Sequence, residues 1–168
     1  MLPRPLALAL GASLLLSACG KAPTAEVRAA PSFDLPYVDG GRGNLAAFKG
    51  RVVVLDFWAT WCGPCLAELP EYVAFAARNR GHGVEVVGVV FDSGEPQEIQ
   101  DFVREHHLTY RQLLGTDDMA EAFGGNQGFP TTFVIDGQGL IRLTVLGSTP
   151  DKFERLQKAV DAALAVRG

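Results

Sequence analysis

The 168-residue chain predicts an α/β fold, a mixed central sheet flanked by helices, and three features of the sequence point to it. Two runs of β-branched and apolar residues, VVVLDFWA (residues 52–59) and VEVVGVVF (84–91), read as buried strands. Each is followed by a segment with apolar residues at helical spacing, the mark of strand–helix units with parallel neighbours. Late in the chain, two alternating stretches flank the turn residues Asp136, Gly137 and Gly139, the pattern of an antiparallel hairpin. A composition that is 48% hydrophobic over this length supports one core rather than two.

Taken in order, the domain is expected to span residues 33–168. Residues 52–59 form its central strand, continuous in apolar character except for Asp56. The following helix begins at CGPC (62–65), carries Leu66, Leu69, Val73 and Ala76 at helical spacing, and ends at Gly81. Pro70 is expected to kink it, because a proline there removes a hydrogen bond and clashes with the preceding turn. After the strand at 84–91, residues 96–108 read as a helix opening on a proline, where the missing N–H costs nothing. A short strand at 111–114 and a short helix at 117–123 lead into the hairpin at 130–147. The last helix has Thr149 as N-cap, Pro150 at its first position and an apolar face of Phe153, Leu156, Val160 and Leu164.

The first residues do not belong to this pattern. Arg4 precedes an apolar run, then small residues and Cys19, so residues 1–18 read as a secretion signal. The apolar span 6–18 covers 13 residues, whereas a helix crossing a bilayer takes about 20, which disfavours a permanent transmembrane anchor. LSAC (16–19) resembles the bacterial lipobox, in which cleavage leaves the cysteine N-terminal and joined to a diacylglycerol. That resemblance implies lipid attachment at Cys19, with two acyl chains that anchor stably, on the periplasmic side of a bacterial membrane. The other reading of Cys19 is an ordinary secretory signal with an incidental cysteine. Residues 19–32, rich in Ala and Pro and without periodicity, read as a flexible tether. The net charge of −4 and the absence of a Lys/Arg stripe exclude a nucleic-acid partner.

With Cys19 lipidated, the remaining thiols both lie in CGPC, in a compartment where disulfides persist. A CxxC pair has three readings. Structural zinc takes four ligands, and His82, His106 and His107 stand at no suitable spacing, the last two being expected on different faces of one helix; no metal and no cofactor is implied. As a staple, a bridge over two residues closes a very small loop and stabilises little. A redox pair fits the local geometry better. Cys62 falls at the strand-to-helix junction, where free N–H groups and the helix dipole favour a thiolate, so it is expected to be the exposed, acidic nucleophile. Cys65, one turn inside the helix and shielded, is placed to attack a mixed disulfide at Cys62. Pro64 stiffens the turn. Trp58 reads as core, Trp61 as an exposed rim for partner proteins, and Glu68 as a solvated helix position.

DFWATWCGPC (56–65) resembles the active-site segment of thioredoxin. Together with the segments at 30–70 and GFPTTFVIDGQG (128–139), it makes the chain similar to the membrane-anchored thioredoxin-like reductases of the TlpA/ResA group. The resemblance implies a thioredoxin fold with an N-terminal β-hairpin and a central insertion within residues 92–115, and a redox-active disulfide between Cys62 and Cys65. It implies that Pro130 follows a cis peptide bond and that Phe129, Pro130 and Thr131, with Trp61, Gly63 and Pro64, bind an extended substrate. In thioredoxin the residue matching Asp56 lies beneath the second cysteine and manages its proton, so Asp56 is expected to be a general acid or base for Cys65. Many members of the group carry Asn there, and the lysine that accompanies this Asp in thioredoxin is replaced by Gly88, which would make Asp56 still harder to ionise.

The Gly-Pro dipeptide is that of thioredoxin, a reductant near about −270 mV against about −120 mV for DsbA. The resemblance thus implies a reductase of disulfide-containing periplasmic proteins, with apocytochrome c or a copper-site protein among candidate substrates and a membrane thiol donor of the DsbD/CcdA kind. Two readings of other classes remain open. A peroxiredoxin shares the PSFDLPYVDG style of opening, but its cysteine sits in a Pro-x-x-x-Thr-x-x-Cys setting, whereas Ala59, Thr60 and Trp61 precede Cys62. A copper chaperone would need CxxxC with a distant His, a spacing this chain lacks.

Overall fold

A computed structural model describes residues 27–125 and 128–166. Cys19, the signal segment and most of the tether lie outside the described residues. The elements are β1 (Arg28–Ala29), β2 (Asp34–Pro36), β3 (Arg42–Asn44), β4 (Val52–Trp58), α1 (Gly63–Asn79), β5 (Val84–Val90), α2 (Pro96–Glu105), β6 (Arg111–Leu114), α3 (Asp117–Ala122), β7 (Thr131–Ile135), β8 (Leu140–Leu146) and α4 (Lys152–Ala165). Six strands form one sheet in the order β1-β8-β7-β4-β5-β6, while β2 and β3 form the separate N-terminal hairpin. β5 runs parallel to both β4 and β6, and β7 runs antiparallel to β4. This is the thioredoxin-like arrangement, with α2 and β6 inside the expected insertion. Among the described residues no helix is long and apolar enough to cross a membrane.

Because successive side chains of a strand point to opposite faces, β4 divides the core in two. Val52, Val54 and Trp58 join one apolar cluster with the cysteines, Leu69, Tyr72 and Phe75 of α1, Ile99 of α2 and Leu156 and Val160 of α4. Val53, Leu55 and Phe57 join the other, with Phe33 and Leu35 of the hairpin region, Met119 of α3, Phe123, Phe133 and Ile135. Asp56 has even parity, so it points to the face that holds the cysteines.

Local chemistry explains most element ends. α3 begins where the Thr116 hydroxyl accepts from the Met119 N–H at 3.3 Å, and α2 where the Glu98 carboxylate accepts from the Glu95 N–H at 2.8 Å; both are N-terminal caps. Pro70 lies inside α1.

Three expectations are corrected. Residues 28–30, assigned to the tether, belong to the fold: Arg28 and Ala29 pair with Ile141 and Leu140, and the Ala30 N–H donates to Gly139 O at 2.8 Å. Their partners are main-chain groups more than a hundred positions away, which no local pattern announces. α4 starts at Lys152 rather than Pro150, with Asp151 at its cap. Thr149 closes a preceding turn, its carbonyl accepting from the Lys152 N–H at 3.1 Å and its hydroxyl donating to Asp151 at 2.8 Å. α2 stops at Glu105, and His107 has φ 53°, so the two histidines leave the helix instead of occupying two of its faces.

Candidate active site

The site sits where β4 gives way to α1. Cys62 is the N-cap residue of α1, and its sulfur accepts from the Cys65 N–H at 3.3 Å. Gly63 and Pro64 fill the first two helical positions, where a missing N–H is harmless. Cys62 and Cys65 are joined as a disulfide, S–S 2.10 Å and Cα–Cα 5.3 Å. The first sulfur was expected to be exposed; the residue is 5% exposed against 2% for Cys65. Both residues are therefore buried, against the expected exposure of Cys62, and they differ instead in position, Cys62 capping α1 and Cys65 lying inside its first turn.

Around the pair, Trp61 is 62% exposed. Its indole N–H donates to Asp92 O at 2.7 Å, and the Thr60 N–H donates to the Ser93 hydroxyl at 2.9 Å. The loop after β5 therefore holds the rim in place. Trp61 meets Phe129 edge-on, ring centroids 5.8 Å apart. The Phe129–Pro130 bond is cis, and Pro130 O accepts from the Gly147 N–H at 2.8 Å. Thr131 pairs with Leu146, and its hydroxyl donates to Gly128 O at 2.7 Å.

Beneath the disulfide face lies a buried polar group. Asp56 Oδ1 accepts from the Tyr72 hydroxyl at 2.8 Å and from the Thr132 hydroxyl at 2.9 Å. Burial pushes the Asp56 carboxyl up from its ordinary value to about 6, against the lowering effect of the Lys152 charge and of these two hydrogen bonds. β5 offers it no lysine, since Gly88 stands opposite Asp56 in register. The positive charge comes instead from α4. Lys152 is fully buried and donates to Glu68 Oε2 at 2.6 Å. Glu68 is therefore no solvated helix residue: it is 7% exposed and ion-paired, because it shares the buried side of α1 with Tyr72, four positions on.

Lys152, Tyr72 and Thr132 were not singled out from the sequence. One signal was present: Lys152 stands four residues before Leu156 and eight before Val160, on the apolar stripe of the last helix. Gly88 also gains a reason. The Trp58 indole N–H donates to Gln112 Oε1 at 3.0 Å, and a Cβ on Gly88 would collide with both groups. Among the described residues no three His, Cys, Asp or Glu side chains are arranged to hold a metal.

A disulfide-forming pair at a helix start, with a cis-proline behind the Trp61–Phe129 rim and a buried acid on the same face of the sheet, defines a thioredoxin-like thiol-disulfide oxidoreductase. The sequence profile of the AhpC/TSA family matches residues 27–144. The thiol-disulfide oxidoreductase ResA of Bacillus subtilis is 32% identical over 130 residues, covering 77% of this chain and 72% of that protein. The thiol:disulfide interchange protein DsbE of Pseudomonas aeruginosa is 34% identical over 134 residues, covering 77% and 71%. Among solved structures, a thiol:disulfide interchange protein of the thioredoxin family from Chlorobium tepidum superposes with a TM-score of 0.71 at 29% identity, covering 81% of this chain and 95% of that one. The chain belongs to the AhpC/TSA family and, within it, to the thiol-disulfide oxidoreductases of the ResA and DsbE type.

Proposed function

We propose that the protein is a reductase of protein disulfides, tethered by lipid on Cys19 to the periplasmic side of a bacterial membrane once residues 1–18 are removed. The observation that carries this reading is the placement of Cys62 at the N-terminus of α1, its sulfur accepting the Cys65 N–H, with the thioredoxin dipeptide Gly-Pro between the two cysteines. The helix start stabilises negative charge on the first sulfur. In the reduced protein the Cys62 thiolate attacks a substrate disulfide, forming a mixed disulfide and releasing one substrate thiolate. Asp56 takes the proton of Cys65, whose thiolate then attacks the Cys62 sulfur. The Cys62–Cys65 bond forms as the Cys62–substrate bond breaks, and the second substrate sulfur leaves as a thiolate. Two electrons have passed from the dithiol to the substrate, and both leaving thiolates end as thiols by taking up protons.

Trp61, Phe129 and the cis-proline form the rim on which an extended substrate docks, with Thr131 continuing it into β7. A reductant on the oxidising side of a membrane needs electrons from within, which favours a membrane thiol donor of the DsbD/CcdA kind. Apocytochrome c and copper-site proteins are substrates of suitable chemistry. Thiol peroxidase activity is expected to be low, because the Pro-x-x-x-Thr-x-x-Cys setting is absent.

The deciding experiment equilibrates the Cys62/Cys65 couple with a glutathione or thioredoxin standard and follows insulin reduction alongside. A potential within a few tens of millivolts of about −270 mV supports the reductase; one near about −120 mV makes the protein an oxidant. Replacing Cys19 with Ala is expected to move the protein from the membrane to the soluble fraction; unchanged membrane retention removes the lipid anchor from the account.

A further inference from the structure

Two acids and one base are sealed beneath the disulfide face. Asp56 comes from β4, Glu68 from α1 and Lys152 from α4. The Lys152 ammonium donates to Glu68 at 2.6 Å and lies 5.3 Å from the centre of the Tyr72 ring. The Tyr72 hydroxyl in turn donates to Asp56 at 2.8 Å. One cation therefore serves two carboxylates across a single aromatic ring. A second, uncompensated negative charge in such a site is costly, and the group concerned keeps its proton instead. Glu68 holds the direct contact with the ammonium, so Asp56 is the acid that gives up its proton only at a higher pH than usual.

We propose that Lys152 is a positioning residue for the resolving step: from the C-terminal helix it sets the charge state of Asp56, and Glu68 opposes it. The inference rests on the reading that Asp56 takes the Cys65 proton, and it adds the device that tunes that transfer. The groups facing Asp56 are few. Among the described residues α1 presents Glu68 and Tyr72, on the face that also holds Cys65, α4 presents Lys152, and Tyr110 approaches from just before β6; β5 presents Gly88 and β7 the Thr132 hydroxyl, neither of which titrates. Burial pushes both tyrosines upward from their ordinary value, so neither acquires charge near neutrality. Among the described residues Lys152 and Glu68 are the charges left to move Asp56, and they act in opposite directions.

This opposition supplies the test. Reduced protein is mixed with 5,5′-dithiobis(2-nitrobenzoate) in a stopped-flow instrument from about pH 5 to about pH 9. The first equivalent of thionitrobenzoate reports attack by Cys62, and the second reports resolution by Cys65. In the unaltered protein the second phase is expected to slow on the acid side as Asp56 becomes protonated. Lys152→Met is expected to move that limb upward by about one pH unit, slowing the second phase about fivefold near pH 6 and approaching tenfold below about pH 5.5, and leaving the first phase unchanged. Glu68→Gln is expected to move it downward, and the double variant to return it to within about half a unit of the starting position.

Superposable profiles for Lys152→Met and the unaltered protein would overturn the proposal, as would shifts of the same sign in both single variants, the mark of a packing defect. Should Lys152→Met fail to fold, the downward shift in Glu68→Gln supports the proposal, and an upward or absent one overturns it. Asp56→Asn separates the two levels: if it leaves the acid limb intact, the assignment of Asp56 falls and this inference with it. If it abolishes a limb that Lys152→Met does not move, only this inference falls.

Discussion

The two faces of the sheet are built from the same strands to opposite specifications. On one, alternate residues of β4, β5 and β7 meet an aromatic cluster. Phe57 lies 4.9 Å from Phe91, 5.3 Å from Phe123 and 5.2 Å from Phe133, centroid to centroid. On the other, the neighbouring positions carry the cysteines together with Asp56, Tyr72, Thr132, Glu68 and Lys152, all buried. Apolar rings need no partners and stabilise by area and packing alone. Buried charges stabilise little and are retained for what they do. Both faces pack apolar side chains; the second also buries Asp56, Glu68 and Lys152, and burial there holds the Asp56 carboxyl above its ordinary value on the side of the cysteines. Strand parity thus sets Asp56 apart from the aromatic cluster, on the face that holds the cysteines.

Substitutions can break or sharpen that separation. Cys62→Ser is expected to have the largest effect, abolishing insulin reduction while leaving the thermal midpoint of the reduced protein within a few degrees of its starting value. On the aromatic face, Phe57→Ala is expected to cost about 3–5 kcal/mol in denaturant unfolding through the cavity it leaves, while thiol reactivity of the protein that remains folded is preserved. Asp56→Asn reverses the usual sign of a buried substitution. The folded Asp56 carboxyl lies at about 6, above its ordinary value of 3.8, so its contribution is fully favourable below the unfolded value and is lost as pH rises through the folded one. Asp56→Asn is therefore expected to stabilise the protein by about 2 kcal/mol above pH 7, with the gain vanishing below about pH 4, as urea unfolding across that range will measure. Gly88→Ala, which intrudes on the Trp58–Gln112 hydrogen bond, is expected to cost about 1–3 kcal/mol. The smallest change in stability belongs to Trp61→Ala at the exposed rim: no measurable shift in unfolding, and a KM for a protein disulfide raised up to about tenfold.

Much of this organisation is legible in the chain. The apolar character of residues 52–58, broken only by Asp56, marks a strand buried on both faces, and the resemblance to thioredoxin, rather than the strand's period, is what puts Asp56 on the side of the second cysteine. CGPC at a strand-to-helix junction marks the pair that forms the disulfide, and the resemblance to thioredoxin marks the cis bond before Pro130. The charged pair escapes such a reading, because Lys152 and Glu68 lie 84 positions apart. A lysine on an apolar stripe reads alone as a long side chain reaching for solvent, and Glu68 alone as a surface acid; only the approach of α4 to α1 makes them partners. The edge strand β1 is hidden for a related reason, since two residues have no periodicity and their hydrogen bonds go to the far end of the chain.

The claim beneath all of this is that the helix start makes the sulfur of Cys62 acidic while Cys65 waits as a thiol. It is tested most directly by alkylating the reduced protein across a series of pH values and mapping the label by mass spectrometry. Cys62 is expected to react at half its maximal rate at a pH well below the ordinary thiol value of about 8.5, with Cys65 largely unlabelled until the protein is unfolded. Equal, slow labelling of both residues, each following the ordinary thiol titration, would contradict it.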